Sequence, residues 1–132
     1  MAKAILEHRG IDHEDARRSI RTLFNGDLGD FVGRQVKVLS MKRTGMLGGH
    51  YHNDYTEVWY VQSGRAVFEL DDQDGTERYK FDMGETDRIV IPPMVAHRVL
   101  AYEGCILIGI TEKVYVNCEL NDQPFNFGPW QD

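Results

Sequence analysis

Residues 45–64 read GMLGGHYHNDYTEVWYVQSG, and the fold and the chemistry are both decided here. On an extended chain, side chains two apart face the same way, so His50 and His52 point together to one side of a strand. Four residues, Asn53 to Thr56, turn the chain and bring Glu57 back at the start of the β-branched and aromatic run Glu57–Gln62. Two imidazoles and a carboxylate converging from adjacent strands make a three-ligand site for a divalent first-row metal. A fourth candidate, His97, follows the run Ile89-Val90-Ile91-Pro92-Pro93. The prolines stop that strand and fix a turn, after which the chain re-enters the sheet.

Outward from this centre the chain is a series of short β-rich runs punctuated by 13 glycines. Residues 34–42 alternate apolar and polar. Residues 65–70 follow Ser63-Gly64, and Asp71–Gly75 reads as a hairpin turn into residues 76–81. Further runs are 88–91, 97–101, 104–111 and 114–118. Strands of this length and spacing predict an all-β antiparallel double sheet, a jelly roll or barrel. Parity from Glu57 places Trp59 and Val61 inward and Tyr60 outward; from His97 it places Val99 and Ala101 inward. Met94 and Tyr102 are expected near the mouth of the pocket, and Trp59 in its wall as a candidate stacking platform for a substrate ring. Gly45–Gly49 reads as a flexible turn, not a phosphate cradle, since no helix follows it.

The ends are less regular. Residues 1–33 form an arm in which 12–24 read either as a capped helix or as an edge strand, with strand or irregular arm preferred. His8 and His13 are assigned to its solvated surface. Residues 34–118 hold the barrel. Residues 119–132 form a turn-rich tail whose Phe125, Phe127 and Trp130 call for a surface to dock on, this sheet or a second subunit.

Composition sets the outer limits. The chain has 132 residues, with 15 Lys+Arg against 21 Asp+Glu, a net charge of −6. That suits one domain with a real core. An acidic chain without a basic run is a poor match for nucleic acid or an anionic membrane. No apolar stretch approaches the ~18 residues of a spanning helix, and residues 1–10 lack a signal-peptide core, so a cytoplasmic location is expected. Cys105 and Cys118 make no disulfide framework. Arg43, Arg65, Arg88 and Arg98 have the charge to meet a diphosphate, but each reads first as a solvated partner for nearby acids.

These motifs resemble those of the cupins, G-x5-HxH-x3,4-E-x6-G and G-x5-PxG-x2-H-x3-N. His50, His52, Glu57 and Gly64 stand at the first motif's spacing; Pro92 and His97 stand at the second's. Gly45 lies one residue too close to His50, the gap from Gly84 to Pro92 is longer than the motif's, Met94 replaces a glycine and Ala101 an asparagine. The resemblance implies a jelly-roll barrel holding one divalent transition metal (Fe, Mn, Ni, Co, Cu or Zn) on His50, His52, Glu57 and His97. GGHYHNDYTEVWYVQSG and IVIPPMVAH are also similar to the cupins acting on nucleotide sugars, the deoxyhexose 3,5-epimerases and 3,4-ketoisomerases, which generally work without metal. That likeness implies an isomerase or epimerase of a carbonyl-bearing sugar, with His50, His97 and Glu57 as the catalytic candidates. A metal-dependent dioxygenase of a small chelating substrate and a non-catalytic ligand-binding domain are the alternatives. A small-molecule substrate and a homodimer are the expected partners.

Overall fold

A computed structural model describes residues 2–132. Its strands are β1 (Ile5–His8), β2 (His13–Glu14), β3 (Ser19–Ile20), β4 (Gln35–Ser40), β5 (Gly45–Tyr51), β6 (Glu57–Ser63), β7 (Ala66–Asp71), β8 (Tyr79–Met83), β9 (Asp87–Ile91), β10 (Ala96–Ala101), β11 (Ile106–Thr111) and β12 (Gln123–Pro124). One short helix, α1 (Cys118–Asn121), precedes β12. Two five-stranded antiparallel sheets, β1-β9-β6-β11-β4 and β12-β5-β10-β7-β8, face each other, and β2-β3 forms a separate ribbon. This is the expected double-sheet jelly roll. The sheets share no backbone ladder, so the barrel is a sandwich closed by side chains. Phe68, Leu70 and Met83 from one sheet meet Val61, Ile89 and Leu107 from the other in the core.

Alternation holds where the strands were legible. Val61 is fully buried in the core, while Tyr60 and its cross-strand partner Arg88 lie on the outer face of their sheet. That outer face is nevertheless covered. The Arg88 guanidinium is fully buried, bonded to Glu7 at 2.7 Å, Asp27 at 3.0 Å and the Leu23 carbonyl at 2.9 Å. Arg88 is therefore a structural anchor for the N-terminal arm, not a solvated residue. Within the arm, residues 12–24 hold the β2-β3 ribbon and no helix.

Two further expectations are corrected. Gly45–Gly49 is no flexible turn but the first part of β5, paired along β10. The register slips between His97 and Arg98, so β5 carries one extra residue opposite them, and Gly48 and Gly49 sit at φ +88° and +93°. Such a bulge re-aims the side chain that follows, here His50. A Cβ on Gly48 would lie 3.1 Å from Arg98 Cα and from the His97 carbonyl. Gly48→Ala is expected to cost about 1–3 kcal/mol from positive-φ strain and this close approach. Urea unfolding measures it; a loss below ~0.5 kcal/mol, the range of neutral surface changes, would refute the reading.

The second correction is at residues 114–118, read as a strand. They run irregularly into α1, where Asn117 caps the helix by accepting from the Leu120 amide at 2.9 Å. The tail then adds β12 to the edge of β5, opposite Tyr51 and His50. Beyond it the aromatics dock on this chain's own sheet. Arg78 lies over Phe125 and Phe127, Arg98 over Phe127 and Trp130, and Lys80 over Trp130. Arg98, a diphosphate candidate in the sequence, instead binds Glu69 at 2.7 Å and the Gly128 carbonyl at 2.7 Å.

Candidate active site

The four residues singled out in the sequence meet in one place. His50 on β5 is the Cα partner of His97 on β10, and Glu57 opens β6. Imidazole nitrogens of His50, His52 and His97 all lie within 4.8 Å of one another. The Glu57 carboxylate sits between two rings, Oε2 3.3 Å from His52 Nε2 and Oε1 3.3 Å from His97 Nε2. His52, His97 and Glu57 are buried; the His50 side chain retains 25% exposure.

Hydrogen bonds fix the ring orientations. A carbonyl oxygen only accepts, so His97 Nδ1–H donates to the Val95 carbonyl at 3.0 Å and His52 Nδ1–H to the Asn121 carbonyl at 2.9 Å. Tyr55 lies stacked on His52, its hydroxyl 2.8 Å from the same Nδ1. Both Nε2 atoms therefore turn towards Glu57, buried and without an aligned hydrogen-bond partner. Two lone pairs facing a carboxylate at 3.3 Å repel unless a cation lies among them, protons on the rings or a metal ion. The donor set thus fits a divalent first-row ion, with His52, His97 and Glu57 as a two-imidazole, one-carboxylate face and His50 beside it.

The electrostatics separate the three imidazoles. Burial pushes the Glu57 pKa up, but the neighbouring His52 and His97 outweigh it and hold the carboxyl well below its usual range. Burial also opposes charge on His52; Glu57 more than offsets this, and the His52 pKa ends above the ordinary histidine value. His50 is pushed down to about 4, first by burial and then by the charge on His97. Burial raises Tyr55 to about 12, so it stays protonated.

A cavity of about 240 Å³ opens in front of these groups. Its deep wall is apolar, formed by Leu39, Leu47, Trp59, Phe68, Val99 and Leu107; Gln35, Lys37, Thr111, Lys113 and Tyr115 form the rim. Trp59 is in the wall as expected. Met94 and Tyr102 are not. Met94 is 44% exposed, turned away by its φ of +70°, with its amide bonded to the His52 carbonyl at 2.7 Å. Tyr102 lies past the far end of β10 under the Arg65 guanidinium, about 16 Å of strand from His97. Sequence reasoning missed Asp122, whose carboxylate lies 3.9 Å from His50 Nδ1 and 3.5 Å from His52 Nδ1. No motif marks it, since α1 delivers it from 65 residues beyond Glu57. The rim was findable: the alternation of Gln35, Lys37 and Leu39 puts them on one face.

The chain belongs to the cupin family, whose model, described as Cupin, matches residues 32–128. No curated protein matches it in sequence. Among solved structures it is similar to QdtA, a sugar 3,4-ketoisomerase from Thermoanaerobacterium thermosaccharolyticum in complex with TDP. The TM-score is 0.76 at 17% identity, over 94% of this chain and 88% of that one. It is similar also to ChmJ, a 3'-monoepimerase from Streptomyces bikiniensis in complex with dTDP-quinovose, with a TM-score of 0.82 at 17% identity over 94% and 70%. WlaRA, a TDP-fucose-3,4-ketoisomerase from Campylobacter jejuni, gives 0.72 at 14% over 89% and 87%. At these identities the likeness is one of fold. Among the described residues no helix is long and apolar enough to cross a membrane.

Proposed function

We propose that this cupin is an isomerase or epimerase of a carbonyl-bearing sugar carried on a nucleotide, with His50 as its base. The observation that carries the proposal is the inequality of the three imidazoles. His52 and His97 are pinned through Nδ1 and face Glu57, whereas the His50 ring makes no hydrogen bond to the protein among the described residues and lines the cavity. His50 takes the proton from the carbon beside the sugar carbonyl. The C–H electron pair becomes the new C=C bond and the carbonyl π pair moves to oxygen, giving an enediolate. Protonated His52, beside Glu57, supplies positive charge where that oxygen forms. Return of the proton to the former carbonyl carbon, while the hydroxyl proton of the neighbouring carbon passes to the first oxygen and leaves a new C=O there, completes ketoisomerisation; delivery of a solvent-derived proton to the opposite face of the original carbon completes epimerisation. In place of that proton, a divalent ion held by His52, His97 and Glu57 with His50 adjoining would supply the polarisation of the carbonyl.

Asp122, its carboxylate 3.9 Å from His50 Nδ1, acts on the base through its negative charge, as a positioning residue. The test uses TDP-4-keto-6-deoxyglucose, the ligand of a QdtA structure, in deuterated water, with NMR following the isomer and its deuterium. Deuterium at the carbon beside the carbonyl is expected; no exchange with this or any related keto-sugar overturns the proposal. Asp122→Asn is expected to lower kcat about tenfold with KM little changed, the usual size for a carboxylate partner of a catalytic histidine.

A further inference from the structure

Trp59 entered as a candidate platform for a substrate ring, but its polar edge is already committed. Its indole Nε1–H donates to Glu57 Oε1 at 2.7 Å, the shortest contact the carboxylate makes. Each carboxylate oxygen faces a different imidazole, so rotation about the terminal torsion of Glu57 would break both contacts at once. That torsion is intrinsically soft, with a broad, nearly two-fold profile. Something must hold it. The six-membered edge of the indole rests on Gly109, its cross-strand partner on β11; a Cβ there would lie 2.6 Å from Cη2 and Cζ3 of the ring. The absent side chain at 109 is the seat that lets the ring lie flat enough for its N–H to reach back two residues.

We propose that Trp59 is a positioning residue, whose indole N–H, seated by Gly109, fixes the Glu57 carboxylate so that each oxygen faces one imidazole Nε2. A side chain of equal bulk without the N–H fills the same wall and leaves the carboxylate free to turn. The role belongs to the pair 59 and 109, and it fixes the geometry of the site whether protons or a metal ion lie between the rings and the carboxylate. It concerns the site of the isomerase reading and rests on that reading only for the turnover arm of its test.

The test is NMR of the whole chain with 15N-labelled imidazoles and indoles. The chain has two tryptophans, so Trp130→Phe assigns the Trp59 indole signal. In the metal-stripped protein, Trp59→Phe is expected to keep a dispersed, folded spectrum while shifting the ring Nε2 resonances of both His52 and His97. Glu57→Gln is expected to move the Trp59 indole N–H signal upfield. Should Trp59→Phe fail to fold, Gly109→Ala, which presses on the ring and leaves the N–H in place, is expected to shift the same two imidazoles. In turnover, Trp59→Phe is expected to lower kcat at least about tenfold at nearly constant KM. A folded Trp59→Phe with both imidazole signals at their wild-type positions overturns the proposal. A wild-type protein inactive on every keto-sugar overturns the isomerase reading instead, and the imidazole signals still decide the role of Trp59.

Discussion

His50→Asn is expected to lower solvent exchange at the substrate carbon by about 10²–10⁴-fold, the usual contribution of a positioned general base. The fold should be indifferent to the change. His50 is the least buried of the three rings, its nitrogens hold no protein hydrogen bond among the described residues, and asparagine fits the same strand position. Urea unfolding is therefore expected to move by no more than ~0.5 kcal/mol. The wild-type rate should also report the base directly. A group with its pKa pushed down to about 4 is deprotonated, and so active, throughout the neutral range. Exchange is expected to be flat in this group from pH 8 to 5 and to fall only as the pH approaches 4. An ordinary histidine base would already lose half its rate near its usual pKa of ~6.5. A variant that keeps its rate within a few-fold of wild type would move the base to another residue.

Much of this site was legible because it obeys short-range rules. HxH on an extended strand and a carboxylate after a four-residue turn are local statements, and the alternation that follows Glu57 correctly turned Trp59 and Val61 inward. What escaped depended on long-range placement. Asp122 and the Asn121 carbonyl reach the imidazoles only because the tail pairs with β5 and α1 ends beside them. Tyr60 was rightly turned away from the core, but whether that face meets water depends on where the arm lies. Met94 failed for a backbone reason, since parity does not carry through a residue at φ +70°. Gly48 and Gly49 looked like a turn because glycine marks turns and bulges alike; only the pairing partner distinguishes them.

The arm supplies the largest stability effect. Arg88→Met is expected to destabilise the chain by about 3 kcal/mol at pH 7, the low end for breaking a buried ion pair by removing one partner. The low end applies because the side chains of Glu7 and Asp27 are about one third exposed and regain some water, while the guanidinium they lose is wholly buried. Methionine fills the space of the stem, so the loss reports the charge and its bonds to Glu7, Asp27 and the Leu23 carbonyl more than a cavity. The pH dependence gives the sign. The Arg88 hydrogen bond, with smaller help from the Asn25 amide, holds the Asp27 carboxyl far below its ordinary value. A carboxyl with a depressed folded pKa contributes stability in full above its unfolded pKa of ~3.9 and loses it as the pH falls towards the folded value. The gap between wild type and Arg88→Met should therefore be widest and constant from pH 7 to about 5. It should then narrow as the solution is taken below pH 4, because protonation of Asp27 removes from the wild type part of what the substitution has already removed from the variant. Urea unfolding of both proteins at pH 7, 5 and 3 measures this. A gap under ~1 kcal/mol at pH 7, or one that widens in acid, would show that Arg88 does not anchor the arm.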